Sequence, residues 1–273
     1  MSYSPSGSTT APNFNPLSLD LLSRNLREEL DRRQKIPLDS VERFTGAGLY
    51  ALYYKGDLPL YQKLKEADTP IYIGKAEAGN SSYGYPPDQS KPKLFDRIAD
   101  HRASINQASN LDASHFDVRY LVLDDIWIVL GERALLRAHS PVLWNTLMTG
   151  FGANASGMDR KNGRSIWDSI HPGRARAKDS LCYRKHSRAE LVEMISKGIE
   201  ISLMPPGSSR SAALENLRNQ PQKIIWSASR GDDKRTLVYR VDTFIEENEY
   251  FEVSVDATTW RHANEIEEAS HGE

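Results

Sequence analysis

Cysteine is almost missing from this sequence. Cys182 stands alone among 273 residues, so no internal disulfide can form and no Cys-x-x-Cys pair exists to hold zinc. Long hydrophobic runs are missing too, since no stretch approaches the roughly 20 apolar residues of a membrane span. The opening MSYSPSGSTTAPNFNP has neither the charged start nor the apolar centre of a secretory signal. These absences predict a chain that stays in a reducing cytoplasm and away from the membrane. A strong charge of one sign is also lacking, because the net charge is -2 and the isoelectric point lies near 6.4. A uniformly basic nucleic-acid binder is thereby excluded, although a total can conceal polarity.

The polarity is there. Nine basic residues fall between 160 and 188 (Arg160, Lys161, Arg164, Arg174, Arg176, Lys178, Arg184, Lys185 and Arg188) against two acids, Asp168 and Asp179. Residues 181–273 as a whole hold 16 acids against 12 bases, so the far end offsets the basic stretch. Such a distribution suits one face turned toward a polyanion. With 39% hydrophobic and 26% charged residues, the composition is that of an ordinary globular chain with a packed core.

Residues 1–16 have little to bury and are expected to stay disordered. Leu19, Leu22, Leu26 and Leu30 recur at helical intervals and predict an N-terminal helical arm over 17–42 that packs on the body or on a second subunit. GAGLYALYY (46–54) and PIYIGKA (70–76) read as two antiparallel strands, with a helical turn in LYQKLKEAD between them. Residues 77–93 read as a long functional loop. Residues 94–108 read as a helix that sets Arg97 and His101 on one face, 116–123 as a strand, and 126–139 as a helix carrying Glu132. From Leu143 onward, frequent Gly and Asn predict an irregular and exposed stretch. Beyond 180, SRAELVEMISKGI reads as a helix capped by Ser187 and Glu190 and ending near Gly198, and IIWSASRGDDKRTLVYRV reads as a hairpin. The expected organisation is a domain over 43–180 and a C-terminal α/β extension over 181–273 of unassigned role.

Taken singly, the candidate site residues have ordinary readings. Tyr50 and Tyr72 suit half-buried strands, Arg97, His101 and Glu132 suit exposed helix faces, and Asn145 suits a turn after Pro141. His115, His139, His171, His186, His262 and His271 show no metal-ligand spacing and read as structural or surface residues. The ordered set is more specific than its members. GLY at 48–50, YIG at 72–74, Arg97, His101, Glu132 and Asn145 together resemble the signature of the GIY-YIG nuclease superfamily. Leu49 stands where isoleucine is usual, and the connection between the two halves is long.

YIGKA, RIADHRASI, IWIVLGE and WDSIHPGRA further resemble the type II restriction endonucleases of that superfamily that cut the palindrome CCGCGG, over roughly residues 15–180. The resemblance implies an α+β fold, a small antiparallel sheet flanked by helices. It also implies a prokaryotic, magnesium-dependent (or manganese-dependent) endonuclease acting on double-stranded DNA as a homodimer, with a cognate DNA methyltransferase as functional partner.

Hydrolysis of a phosphodiester needs an activated water, neutralised phosphate charge and a stabilised leaving oxygen. Glu132 is the expected ligand for a hard cation. Arg97 offers its fork to phosphate oxygens. Tyr50 or His101 serves as general base, and the sequence leaves that choice open. Tyr72 is expected to contact the water or the phosphate, Lys75 the DNA backbone nearby, and Asn145 to brace the region of Glu132. Arg160, Lys161, Arg164, Arg174 and Arg176 are candidate DNA contacts. Two competing readings are a structure-selective repair or recombination nuclease and a non-catalytic DNA-binding module on the same scaffold.

Overall fold

The computed structural model describes residues 19–79, 88–152, 165–177, 188–218, 238–241, 250–253 and 261–262. The predicted tail 1–16, the tip of the 77–93 loop, Arg160, Lys161, Arg164, Ser187 and most of the predicted late hairpin lie outside these residues. What is described is an α+β fold. Its main sheet joins β1 (Ile36–Pro37), β2 (Gly48–Tyr54), β3 (Tyr72–Ala76) and β4 (Phe116–Val122) in the order β1-β4-β2-β3, antiparallel throughout.

All seven residues of β2 are buried, as a strand covered on both faces should be. The two-residue period of the strand divides them. Tyr50, Leu52 and Tyr54 face α3 (Lys93–Asn106) and a cluster built on Trp144, Phe151 and Trp167. Leu49, Ala51 and Tyr53 face α1 (Leu19–Arg32) and α4 (Asp125–His139). The N-terminal helix therefore packs on the body of its own chain, with Leu26 and Leu30 buried against the core.

Chain between β2 and β3 forms a 3-10 turn (Pro59–Tyr61) and α2 (Gln62–Ala67). Asp124 begins α4 by accepting a hydrogen bond from Ile126 N, which satisfies one of the otherwise unpaired first-turn amides.

The stretch after Leu143 overturns the expectation of exposure. Its described residues form α5 (Leu143–Thr146) and α6 (Ile166–Ile170), and Trp144, Met148, Phe151, Trp167, Ile170 and His171 are all at most 1% exposed. Irregular spacing hid a core contribution. Large aromatic surfaces bury wherever they meet edge to face, whatever their period, and Trp144 meets Trp167 at 5.5 Å and 87°. Several of the polar atoms in this volume are paired, although the Trp167 indole N–H has no partner. Tyr61 Oη lies 2.6 Å from His171 Nε2 and accepts from Trp144 Nε1, while His171 Nδ1 lies 2.8 Å from Asn110 Oδ1.

α7 (Arg188–Leu203) runs five residues past Gly198, which therefore does not end it. A Cβ there would lie 2.1 Å from Leu147 Cδ1, so this glycine admits α5. α8 (Ser208–Arg218) follows. Ile195, Ile199, Ile201, Leu214 and Leu217 join the same core as the main sheet, so no break in the core falls at residue 180. A second sheet pairs β5 (Val238–Val241), β6 (Tyr250–Val253) and β7 (Arg261–His262) antiparallel. No helix among the described residues is long and apolar enough to cross a membrane.

Candidate active site

β3 is one of the two edge strands of the main sheet, and the candidate residues gather around both of its sides. Opposite β2, Tyr50 pairs in register with Gly74. A Cβ on Gly74 would lie 2.2 Å from Tyr50 Oη, so the glycine of YIG is the space into which the tyrosine of GLY swings. Tyr50 and Tyr72 come to lie with ring centroids 6.1 Å apart. α3 brings His101 to both, and Tyr50 Oη lies 2.5 Å from His101 Nε2.

Burial sets the protonation of this pair. It pushes the Tyr50 phenol well above the usual tyrosine range, the neighbouring Tyr72 adds to that, and Arg97 opposes it. Burial holds His101 well below the usual histidine range, assisted by the charges of Arg97, Arg174 and Arg176. Tyr50 is thus protonated and His101 neutral at pH 7, and the two share a hydrogen bond whose direction follows the imidazole tautomer. Burial also raises Tyr72, with Arg97 lowering it and Glu132 raising it, so the carboxylate makes itself felt at that phenol.

The free edge of β3 is closed by one side chain. Asn145 Oδ1 accepts from Ile73 N at 2.9 Å and its Nδ2 donates to Ile73 O at 2.8 Å, as a neighbouring strand would. Asn145 therefore holds the strand that carries Tyr72. On the far side of the strand, Lys75 Nζ lies 2.6 Å from Glu77 Oε1 and 3.5 Å from Glu132 Oε2. Both Lys75 and Glu132 are partly open to solvent.

Residues 150–152 complete the site, and sequence reasoning missed them. Phe151 stacks on His101 at 4.5 Å and 23°, and Gly152 O accepts from Arg97 Nη2 at 2.6 Å. A Cβ on Gly152 would lie 2.0 Å from Tyr72 Oη. The only sequence signal is the string GFG after LWNTLMT, in which apolar and polar residues mix without a period. Arg174, expected to meet DNA, is instead 1% exposed. It donates to Asp168 Oδ1 at 2.5 Å, Phe151 O at 3.0 Å and Gly150 O at 3.1 Å, and lies over the Trp167 ring at 4.2 Å. With its donors committed inside the chain, it braces the 150–152 segment. Arg176 donates to Gly150 O at 2.7 Å but remains at the surface, where it lines a cleft of about 310 Å³ with Arg97, Asp100, His101, Gln107 and Gly152.

Residues 42–199, more than half of the chain, match the family described as the Eco29kI GIY-YIG domain. The chain belongs to that family. It is accordingly a DNA endonuclease of the restriction type, a hydrolase whose partner is DNA. That identity sets aside the non-catalytic reading. No curated protein matches the chain.

Proposed function

We propose that the protein is a magnesium-dependent (or manganese-dependent) type II endonuclease that cuts both strands of a GC-rich palindrome resembling CCGCGG. The observation that carries the chemistry is the hydrogen-bonded Tyr50–His101 pair beside Arg97, with Glu132 across the edge strand. Sequence left the general base open between Tyr50 and His101. Burial resists a free phenolate, and the neutral imidazole takes the phenol's proton as the negative charge of the phosphate offsets the burial penalty on the imidazolium. Water attacking the phosphorus gives its proton to Tyr50 Oη as the phenol's own proton passes to His101 Nε2. Arg97 keeps one nitrogen on Gly152 O and presents the rest of its fork to non-bridging phosphate oxygens.

The donor set fits a hard cation that keeps most of its waters. Glu132 is one carboxylate with 25% of its side-chain surface open, and no cluster of three His, Cys, Asp or Glu able to cage a metal occurs among the described residues. Glu132 would hold the ion, which when bound supplies Lewis-acid stabilisation of the phosphate and leaving oxygen. Lys75 steadies the carboxylate from 3.5 Å. Lys75 and Arg176 are the described candidates for DNA contact, with Arg160, Lys161 and Arg164 joining them from sequence alone.

A palindrome implies two equivalent active sites and hence a homodimer. Supporting this, the end of β4 and the first turns of α4 leave Val122, Ile126, Trp127 and Val129 40–69% exposed. A cytoplasmic location beside a cognate methyltransferase follows from the same reading. Incubation with plasmid DNA and magnesium is the test. Discrete fragments with ends at one sequence are expected. Cleavage confined to branched or damaged DNA would replace this reading with the repair one.

A further inference from the structure

A second cleft, of about 360 Å³, opens between α1, the α2–β3 connection, the end of α4 and the α7–α8 connection. Its polar lining is Arg27, Thr69, His139, Ser202 and Arg210, set against an apolar wall from residues 203–206. Two of these side chains are buried without the partners burial demands. His139 and Arg210 are each 8% exposed, yet His139 Nε2 and Arg210 Nε and Nη2 have no hydrogen-bond partner. Arg210 Nη1 makes only a long bond of 3.4 Å to Met204 O. No carboxylate lines the cleft among the described residues. Arg27 is tied to Asp31, which lies outside the lining, at 3.6 Å.

Buried guanidinium nitrogens without an acceptor leave desolvation uncompensated. The neighbouring groups worsen this, because Arg27 and Arg210 both press on His139 and Arg27 presses on Arg210. An oxyanion would relieve all three at once. Guanidinium, imidazole and hydroxyl groups offer donors suited to the several acceptor oxygens of a phosphate, and the apolar wall leaves room for a sugar attached to it. We propose that this cleft is a phosphate-binding site, distinct from the catalytic centre.

His139 lies seven residues beyond Glu132, two turns along the same face of α4 and about 10 Å from it. A phosphate of the DNA backbone flanking the cut and a free phosphate ester share the chemistry the cleft requires. The first source rests on the nuclease reading and the second does not.

Thermal unfolding of the full chain, with inorganic phosphate titrated against chloride at matched ionic strength, is the first arm. A saturable rise of about 2–4 °C is expected. It should disappear in Arg210→Met and shrink in Arg27→Gln, whose exposed position leaves folding intact, yet persist in Arg97→Gln. The second arm measures binding of duplex DNA over a range of salt in a Glu132→Ala background. If the source is DNA, Arg210→Met lowers the slope of log affinity against log salt by about one. An unchanged slope, with the phosphate effect present in the unsubstituted chain and lost in Arg210→Met, assigns the cleft to small phosphate esters. A rise absent from the unsubstituted chain, or undiminished in both variants, overturns the site. A chain that takes up phosphate here but cuts no DNA leaves this proposal standing while the nuclease reading falls.

Discussion

On one side of β3, Tyr50, Tyr72 and His101 are 0%, 8% and 2% exposed and lie among Phe151 and Trp144. On the other, Glu132 and Lys75 keep 25% and 30% of their side-chain surface open and meet an exposed Glu77. The same short strand thus divides a dry half from a wet one. The dry half fixes protonation states by excluding water, which suits proton transfer. The wet half keeps a carboxylate in reach of a hydrated cation and a polyanion, which need water removed only as they arrive. Removing the wet half should therefore stop chemistry without disturbing the fold, whereas disturbing the dry half should affect both.

Glu132→Ala gives the sharpest break. We expect cleavage to fall by on the order of 10³-fold or more, with DNA affinity and the unfolding midpoint close to those of the unsubstituted protein. Cleavage that continues undiminished, followed on labelled duplex, removes Glu132 from the mechanism. Gly74→Ala acts on the dry half from inside the sheet. Its new methyl would occupy space 2.2 Å from Tyr50 Oη, so the phenol must leave His101. A displacement near 1 Å at a reacting group costs on the order of 10²-fold in rate. Single-turnover cleavage is the measurement, and a rate within threefold of the parent shows that Tyr50 is not held where the reaction needs it.

Arg174→Met asks whether the dry half depends on a residue that never touches substrate. Removing one partner of a buried ion pair leaves Asp168 uncompensated and costs about 3–5 kcal/mol. The unfolding midpoint should drop accordingly. Any protein still folded should show a slower cleavage step, because the carbonyls of Gly150 and Phe151, next to Gly152, each lose a donor. A variant equally stable in denaturant refutes the brace.

Much of this division was legible in the sequence. The strand period separates Tyr50 from Leu49, helical spacing joins Arg97 to His101, and the long apolar run of β2 announces a strand covered on both faces. What stayed hidden was long-range. Nothing in the spacing of Arg174 says that it reaches back 23 residues to Phe151 O, so it read as one more cation in a basic run. Asn145 read equally as a turn residue and as a brace for Glu132, because its partner, Ile73, lies 72 positions earlier. Phe151 and Trp167 follow no period at all, and only three-dimensional contact shows that they wall in His101 and the core.

Acid should separate the two halves most gently. His101, His139 and His171 are all held below the usual histidine range by burial, His139 at about 4 and His171 at about 3. The folded chain therefore binds fewer protons than the unfolded chain below about pH 6.5. Their contribution to stability is fully present above that pH and is lost progressively as pH falls toward the folded values, by several kcal/mol in all. Denaturant titrations between pH 7 and pH 4 should show this decline. The cleavage step, in contrast, should hold its rate through pH 6, where an ordinary histidine would already be mostly protonated and unable to accept from Tyr50. A single-turnover rate that falls with an apparent pKa near 6.5 would mean that the dry half admits water when DNA binds.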